Sequence, residues 1–370
     1  MSTPAERYEF VTALRGIAAF AVLALHTQFS GHLALPNWLA PFVYNGGLGV
    51  MLFYLLSAFT LCLSMSRRDE PVAHFYIRRF FRIAPLFYAM TVAYLCVFGA
   101  RPLWLVVTNL TFLFNLIPKE NAFDGIVWAG WSVSVEVLFY AVFPFIFIAF
   151  ARNLKAALAL YAVTFLISFV FRGALDAGML AFIGVTPRNA LAFSVESLFT
   201  NLPFFMAGIV AFQLFERLRA ASPAPDVGYA LLVIAAVGLL TTTHGADHFL
   251  PTPITLRGVS SVWFGALVLG LALCPTRVLV NGATIRFGTI SYSVYLVHFL
   301  VVWNLVPAYS VVCTAVGGSP LVGYGACLLL TLGCVTVAAT VCYFALEKPG
   351  IRLGRALIDT LAARRRAVAV

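Results

Sequence analysis

Ten stretches of the chain run for about 20 residues with almost no charged side chain. A helix of about 20 apolar residues is long enough to cross the hydrocarbon core of a bilayer. Apolar residues make up 62% of the sequence and charged residues 10%, against about 25% charged in an ordinary soluble domain. One soluble core cannot bury so much apolar surface, and the chain is too apolar to be disordered. The sequence therefore predicts an all-α, polytopic helical membrane bundle. The predicted spans are 10–29, 43–65, 84–100, 133–151, 156–173, 198–216, 227–243, 258–274, 287–306 and 321–345.

The segment 102–117 is also apolar, but it is shorter and carries Asn109 and Asn115. Short cytoplasmic loops collect Lys and Arg, so the distribution of these residues tests whether the segment crosses. If the N-terminus is cytoplasmic and 102–117 does not cross, 18 of the 24 Lys and Arg lie on the cytoplasmic side. A full crossing would move every later loop to the other side and remove this bias. We therefore predict about ten spans, both termini in the cytoplasm, and a partly inserted segment at 102–117.

The net charge of +10 would suit a nucleic-acid partner if the protein were soluble. Here most cations lie in loops that are predicted to be cytoplasmic, so the charge is mainly an orientation signal. We expect membrane lipids as partners and no nucleic acid. No oligomeric state follows from the sequence.

Arg15 and His26 lie within the first predicted span, where an ionisable side chain is costly and suggests a function. On a helix, their separation of 11 residues corresponds to about 20° around the axis and about 16.5 Å along it. A permanent cation and a titratable imidazole on one face suit a long ligand that carries phosphate. The alternative is structural: Arg15 extends to the interface, and His26 forms a hydrogen bond with another helix.

Glu136 follows Trp131 and Ser132 near the start of the fourth predicted span. It is the carboxylate that falls most clearly within a span. General acid–base chemistry can use such a carboxylate beside a buried histidine, so Glu136 is a candidate catalytic partner of His26. The alternative is a structural pair with an arginine or with backbone amides.

A basic run from Arg78 to Arg82 precedes the third predicted span. Arg79 and Arg82 are three residues apart, so they share a helix face. Together with Arg78 they form a cationic cluster that suits phosphates or anionic lipid. The alternative is an anchor that only sets the orientation of the chain.

Ser291, Tyr295 and His298 are spaced so that one polar stripe of the ninth predicted span faces the bundle. The stripe either lines a substrate site or holds helices together, and both interpretations stay open. The cluster from His244 to His248 resembles a metal-binding set, but its place in an outer loop favours a solvated loop. The sequence has no Walker loop, G-x-G-x-x-G run or zinc-type spacing, so we expect no metal.

These residues fall in motifs that resemble those of the membrane-bound acyltransferase-3 family. Arg15-x10-His26 resembles the family's signature in its first helix. Residues 53–59 resemble its FFxLSGF run, with Ala58 where Gly is usual. The further matches, in the family's order, are Arg79-Phe80-Phe81-Arg82-Ile83-Ala84-Pro85-Leu86, Trp131-Ser132-x-x-x-Glu136, Gly288-x-x-Ser291-Tyr292-x-x-Tyr295-Leu296-x-His298 and Glu347-Lys348-Pro349. On these six matches the chain is identified as a member of the family over residues 9–350.

The resemblance implies an acyltransferase transmembrane domain at 1–350, followed by a basic cytoplasmic tail at 351–370. It implies an O-acyltransferase of the bacterial inner membrane that moves an acetyl or other acyl group from cytoplasmic acyl-CoA to a hydroxyl. The family's acceptors are lipopolysaccharide, exopolysaccharide or other carbohydrates, including lipid-linked glycans, and small molecules. Some members add an SGNH hydrolase-like domain, which we do not expect in this chain.

The resemblance and the residue patterns together suggest roles for the site residues. Arg15, Arg79 and Arg82 are expected to bind the donor, acetyl-CoA. His26 is the candidate general base on the acceptor hydroxyl, with Glu136 orienting it, and transient acylation of His26 is left open as a variant. The candidate acceptor-binding residues are Trp131, Ser132, Ser291, Tyr292, Tyr295 and His298.

The main alternative function is a multi-span transporter or flippase, because buried Arg, His and Glu also form proton relays. Transporters often show inverted repeats or paired broken helices, and the sequence shows neither. A sensor or scaffold is a third possibility, and it would tolerate changes at Glu136.

Overall fold

The computed structural model describes residues 8–68, 70–151, 153–221, 224–244 and 253–368, which form helices joined by short loops. The α-helices are α1 Glu9–Gly31, α2 Ala40–Tyr44, α3 Leu48–Met65, α4 Val72–Phe98, α5 Leu103–Leu110, α6 Gly130–Ala149, α7 Leu154–Asp176, α8 Ala190–Glu196, α9 Leu198–Ala221, α10 Pro225–His244, α11 Pro253–Leu273, α12 Gly282–Thr289, α13 Ser291–Ala315, α14 Pro320–Cys342 and α15 Lys348–Val368.

Within the described residues, nine helical stretches are long and apolar enough to cross a membrane. A tenth, shorter apolar stretch, Gly258–Leu273, lies in α11. Each of the ten predicted spans therefore coincides with one apolar helical stretch. This confirms the prediction of an all-α, polytopic membrane bundle.

The region from 72 to 117 differs from its predicted boundaries. The helix α4 begins at Val72, well before the predicted start at 84, so the basic run from Arg78 to Arg82 lies on the helix itself. The segment 102–117 contains only the eight-residue helix α5. A helix of this length is about 12 Å long, too short for a hydrocarbon core of about 30 Å. The chain then turns at Phe112, whose φ is +60°.

The ninth predicted span is broken near its start. Asn281 caps α12 through the backbone N–H groups of Ala283 and Thr284, and α12 ends before Ile290. The longer α13 starts at Ser291, which places the polar stripe of Ser291 and Tyr295 on its first turns.

The helix α1 lies at the centre of the bundle and contacts α3, α12, α13 and α14. Gly16 on α1 faces Gly288 on α12 at a close crossing, where a Cβ on either residue would overlap backbone atoms of the other helix. By contrast, α7 and α10 are mostly exposed, and their exposed faces carry apolar side chains such as Leu166, Phe169 and Val233. Apolar exposure of this kind indicates faces that contact lipid.

The predicted basic tail falls in the helix α15, which is described as far as Val368. A π-helical turn, Tyr343–Glu347, joins α14 to α15. Gly350 and Gly354 of α15 pack against Phe81 on α4. Of the His244–His248 cluster, the end of α10 at His244 is described, and the rest lies outside the described residues.

Candidate functional site

A cavity inside the bundle, which we call the inner cavity, is formed by five helices: α1, α3, α4, α6 and α13. Its volume is about 70 Å³. Eight of the eleven residues predicted for the site line it: Arg15, Arg79, Arg82, Ser132, Glu136, Ser291, Tyr292 and Tyr295. The structure therefore gathers residues from four sequence motifs around one space.

The charged lining of the inner cavity is mainly cationic. Three guanidinium groups, those of Arg15, Arg79 and Arg82, and one carboxylate, that of Glu136, reach it. Arg15 Nη2 donates to Thr60 Oγ1 at 3.3 Å, which directs the arginine from α1 towards α3. The surplus of arginine suits a ligand with more than one negative charge.

Glu136 is held by hydroxyl groups rather than by a histidine. Ser57 Oγ donates to Glu136 Oε1 at 2.5 Å, and the Tyr140 hydroxyl donates to the same oxygen. The Arg79 guanidinium lies 5.7 Å from the centre of the Tyr140 ring. Glu136 thus sits in a network with Ser57, Tyr140 and the arginines, and the expected direct contact with His26 is replaced by this network.

Arg82 has an acidic partner from the C-terminal end of the bundle. Its Nη1 lies 3.6 Å from Glu347 Oε1, and Ser293 Oγ donates to Glu347 Oε2 at 2.7 Å. Glu347 is 1% exposed, so this pair joins α4, α13 and the π-helical turn in the protein interior. The Glu347-Lys348-Pro349 motif therefore contributes by orienting an arginine of the cavity.

Hydroxyl groups also line the inner cavity. Ser132 Oγ and the Tyr295 hydroxyl are 2.6 Å apart, and the Tyr292 hydroxyl donates to the Ile83 carbonyl at 2.8 Å. These bonds tie α13 to α6 and to α4. The arrangement offers polar groups that can orient a bound hydroxyl compound or a carbonyl group.

His26 contacts His298, which lies one helical turn after the cavity residue Tyr295 on α13. His298 Nε2 and His26 Nδ1 are 2.9 Å apart, and the two rings stack with their centres 5.0 Å apart. His298 Nδ1 lies 2.6 Å from the Tyr295 carbonyl oxygen. A carbonyl only accepts hydrogen bonds, so Nδ1 of His298 carries the proton.

This chain of hydrogen bonds fixes the tautomers of the pair. With both rings neutral, Nε2 of His298 is an acceptor, and Nδ1–H of His26 donates to it. Nε2 of His26 is then left with its lone pair. An imidazole nitrogen in this state can act as a base or as a nucleophile.

Two residues predicted for acceptor binding lie away from the inner cavity. His298 is 1% exposed and contacts His26 instead of lining the space. Trp131 is partly buried and packs against the apolar core. The stripe on α13 therefore divides: Ser291 and Tyr295 face the cavity, and His298 supports His26.

Sequence reasoning missed several residues near these groups. Ser57 and Thr60 lie one turn apart on α3 and bind Glu136 and Arg15. Phe299 packs against the His26 ring and also contacts Trp128. Trp128 in turn packs against Trp303, with ring centres 5.2 Å apart. Hydroxyl and aromatic residues are frequent in membrane helices, so the sequence offered no reason to single out these residues, although Ser57 lies within the motif at 53–59.

An acidic residue is held among arginines at the end of the bundle where α4 begins. Glu70 pairs with Arg78 and Arg68, with Arg78 Nη1 2.8 Å from Glu70 Oε2. Burial opposes ionisation of Glu70, but the hydrogen bond and the charge of Arg78 outweigh it and hold the pKa of this carboxyl below its ordinary value. Glu70 therefore stays ionised and holds Arg68 and Arg78 close to each other.

Comparison with known proteins assigns the architecture. Residues 8–340 match the family model described as an acyltransferase domain, Acyl_transf_3. The chain belongs to the acyltransferase-3 family. The match covers the helices that form the inner cavity and the His26–His298 pair, so these features lie within the family's domain.

Three relatives in the family illustrate its range. The chain is 27% identical to the acyltransferase MdmB of Streptomyces mycarofaciens, over 80% of this chain and 79% of that protein. It is 27% identical to the exopolysaccharide production protein ExoZ of Rhizobium meliloti (strain 1021), over 84% of this chain and 91% of ExoZ. It is 24% identical to YrhL of Bacillus subtilis (strain 168), named as a candidate peptidoglycan O-acetyltransferase, over 93% of this chain and 55% of YrhL. No solved structure matches the chain.

Membership in the acyltransferase-3 family makes the chain a transferase of acyl groups. Among the described residues, no group of three or more His, Cys, Asp or Glu is placed to hold a metal ion. The chemistry that the arrangement itself offers is an imidazole lone pair, a hydroxyl-lined wall and a cluster of arginines.

Proposed function

We propose that this protein is an integral membrane O-acyltransferase that moves an acetyl or other short acyl group from acyl-CoA to a hydroxyl of a carbohydrate or small molecule. The observation that carries the proposal is the junction of two features. An arginine-rich cavity ends one helical turn from a histidine whose Nε2 bears a lone pair. The first feature suits a phosphorylated donor, and the second suits proton transfer or acyl transfer.

The length of the site supports acyl-CoA as the proposed donor. Arg15 and His26 are 11 residues apart on one continuous helix, which is a rise of about 16.5 Å. A donor that binds arginine through phosphate and presents a carbonyl at His26 must therefore carry a long arm between the two groups. Acyl-CoA has phosphates at one end, a thioester at the other and an extended chain between them.

In the proposed reaction, His26 is the base. As the acceptor oxygen attacks the thioester carbonyl, His26 Nε2 takes the hydroxyl proton, and the carbon–sulfur bond breaks. The proton then passes to the departing thiolate, so that an ester and free CoA leave and His26 is neutral again. His298 holds His26 in the reactive tautomer throughout.

The variant in which His26 is acylated uses the same lone pair. Nε2 attacks the thioester, CoA leaves, and the acceptor hydroxyl then takes the acyl group from the imidazole. In both routes Glu136 acts through the arginine and hydroxyl network rather than by touching His26.

The acceptor is proposed to approach from the aromatic side of His26. Phe299, Trp128 and Trp303 form this side, and flat aromatic faces pack well against the C–H faces of sugar rings. The names of ExoZ and YrhL point to glycan acceptors, which supports a carbohydrate here. The donor would then enter from the cytoplasmic side of the inner membrane, where both termini are proposed to lie.

The test is transfer from labelled acetyl-CoA by the purified protein in nanodiscs, with glycans extracted from the host surface as acceptors. His26→Ala is expected to lower transfer by about 100-fold or more, the range typical for a lost general base. Melting temperatures of the variant and the wild type should agree. Near-normal transfer by His26→Ala would remove the role proposed for this residue.

Mass spectrometry of surface glycans from cells with and without the gene identifies the acceptor. A mass difference of one acyl group on a glycan is the expected result. Proton-coupled uptake of a solute, with no release of CoA, would instead show a transporter.

A further inference from the structure

A second opening, which we call the basic cleft, lies where α1 begins and α3 ends. Its volume is about 340 Å³, and it is lined by residues of both helices and of the adjoining turns, including Tyr8, Thr60 and Arg67. Arg15 lines both the basic cleft and the inner cavity. The two spaces therefore adjoin at the Arg15 side chain.

The lining of the basic cleft is cationic and rich in hydroxyl groups. Arg15, Arg67 and Arg68 contribute three guanidinium groups, and the described lining includes no carboxylate. Thr60 and Ser64 contribute hydroxyls from one face of α3. Guanidinium and hydroxyl donors together are the groups that bind phosphate oxygens.

The arginines at the mouth of the cleft are held in different ways. The Arg67 guanidinium lies 4.8 Å from the centre of the Tyr8 ring, and it also donates to the Tyr8 hydroxyl. Arg68 is half exposed and lies 3.7 Å from Glu70, whose second partner is Arg78. Two arginines share the single carboxylate of Glu70, so net positive charge remains at the mouth. The contact with Tyr8 already orients Arg67.

Measured along the axis of α1, the spacing from these cations to His26 suits a long ligand that carries its negative charge at one end. Tyr8, which positions Arg67, precedes Arg15 by seven residues, a rise of about 10.5 Å, and His26 lies a further 16.5 Å or so along the axis. A small acyl phosphate cannot reach from the basic cleft to His26. A molecule with its phosphates in the cleft and its reactive carbonyl at His26 must be several times longer.

We infer that the basic cleft binds the nucleotide end of the donor, the phosphorylated adenosine diphosphate of CoA. The pantetheine arm then passes Arg15 into the inner cavity. This inference rests on the proposed function, since it places the donor of that reaction. It adds Arg67 and Arg68 to Arg15, Arg79 and Arg82 as arginines that bind the anionic part of the donor.

An anionic lipid headgroup would offer the same phosphate chemistry to the cleft. Because Arg15 lines both spaces, the cleft leads into the inner cavity. This connection favours the donor over a lipid headgroup as the ligand, since only the donor must reach the inner cavity. Phosphatidylcholine nanodiscs carry no net charge on the lipid headgroup, so they remove anionic lipid from the experiment.

The experiment measures binding of CoA and of pantetheine, which lacks the nucleotide, to the intact protein in phosphatidylcholine nanodiscs. Wild-type protein is expected to bind CoA at least tenfold more tightly than pantetheine. The double variant Arg67→Gln/Arg68→Gln should lose this preference while its pantetheine affinity stays unchanged. Arg277→Gln is the matched control, because Arg277 is an exposed cation of another loop that lines neither space.

Each other outcome overturns the inference in a distinct way. If the double variant keeps the preference for CoA, the nucleotide binds elsewhere and the proposed function stands. If it loses CoA and pantetheine affinity equally, the two arginines support the fold. If the same titration in nanodiscs that contain anionic lipid shows no preference for CoA, the lipid headgroup occupies the cleft and the site belongs to the membrane. If wild-type protein binds neither CoA nor pantetheine, the donor of the proposed function falls as well.

Discussion

In the proposed reaction, the hydrogen bond between His298 and His26 makes His298 the residue that sets the tautomer of His26. His298→Ala removes the acceptor for His26 Nδ1–H, so His26 can place its proton on Nε2 and lose the lone pair. We expect turnover to fall by about 100-fold with little change in CoA binding. Steady-state kinetics and a CoA binding titration check this.

A conservative variant separates positioning from packing. The amide oxygen of His298→Gln can still accept from His26 Nδ1–H, so this variant should recover part of the lost turnover. The pH dependence of its turnover should resemble that of the wild-type protein more closely than that of His298→Ala does. Equal loss in both variants, or a matching fall in melting temperature, would make the role of His298 structural only.

Glu136 balances the arginines around the inner cavity. Glu136→Gln keeps the shape of the side chain and can still accept from Ser57, but it removes the negative charge. We expect turnover to fall more than donor affinity, because an anionic donor gains from the loss of a nearby carboxylate. Separate measurements of kcat and of the Kd for CoA test this.

Ser57→Ala is the control for Glu136, because it removes one hydrogen bond and keeps the charge. A smaller loss of turnover is expected from it. If Glu136→Gln weakens donor binding more than turnover, Glu136 belongs to the donor site.

The site residues differ in how far the sequence could predict them. Arg15 and Glu136 stand out because a charge within an apolar run is rare and costly. Ser57 and Tyr140 give no such signal, since a hydroxyl in a membrane helix has many structural uses. The pairing of His26 with His298 joins residues 272 positions apart, and spacing along one helix carries no information about such a contact.

At the level of helices, the crossing of α1 and α12 depends on two glycines. A Cβ on Gly288 would overlap the Thr12 carbonyl oxygen, and backbone atoms cannot move aside as a flexible side chain can. We expect Gly288→Ala to destabilise the protein by about 1–3 kcal/mol, the usual cost of overpacking. Thermal unfolding in detergent measures the change.

Gly282→Ala is the matched control on the same helix. A Cβ at Gly282 meets nothing within 4 Å, so this change should leave the melting temperature almost unchanged. An unchanged melting temperature in Gly288→Ala would show that the crossing is looser than described.

Helix boundaries were harder to predict than helix existence. Apolar length locates each span, but it misses the polar start of α4, where the arginines continue the helix outside the apolar run. It also misses the break at Ile290, because the local cap at Asn281 that creates α12 lies outside the apolar pattern. In both cases polar residues decide the boundary, and these boundaries position Arg79, Arg82 and Ser291.

At the level of the whole molecule, the distribution of cations predicts which side each loop faces. We expect a cysteine placed at Lys155 to react with an impermeant maleimide only after permeabilisation. A cysteine at Thr186, in the loop before α8, should react in intact cells. The measurement is labelling of single-cysteine variants in a background without the seven native cysteines.

The two positions serve as controls for each other. Labelling of the Lys155 position from outside would invert the topology. The basic cleft would then face away from the cytoplasm, and a cytoplasmic donor could not reach it. The topology experiment therefore also bears on the inferred path of CoA.

The pairing of His26 with His298 also has a consequence for the timing of biosynthesis. A ribosome adds about 5–20 residues per second, so the 272 positions between the two histidines take roughly 14–54 s to translate. During this interval α1 is already made, and the imidazole of His26 must find a temporary partner in water, lipid headgroups or earlier helices. A chain that stalls before α13 would contain a complete first helix without the His298 partner of His26.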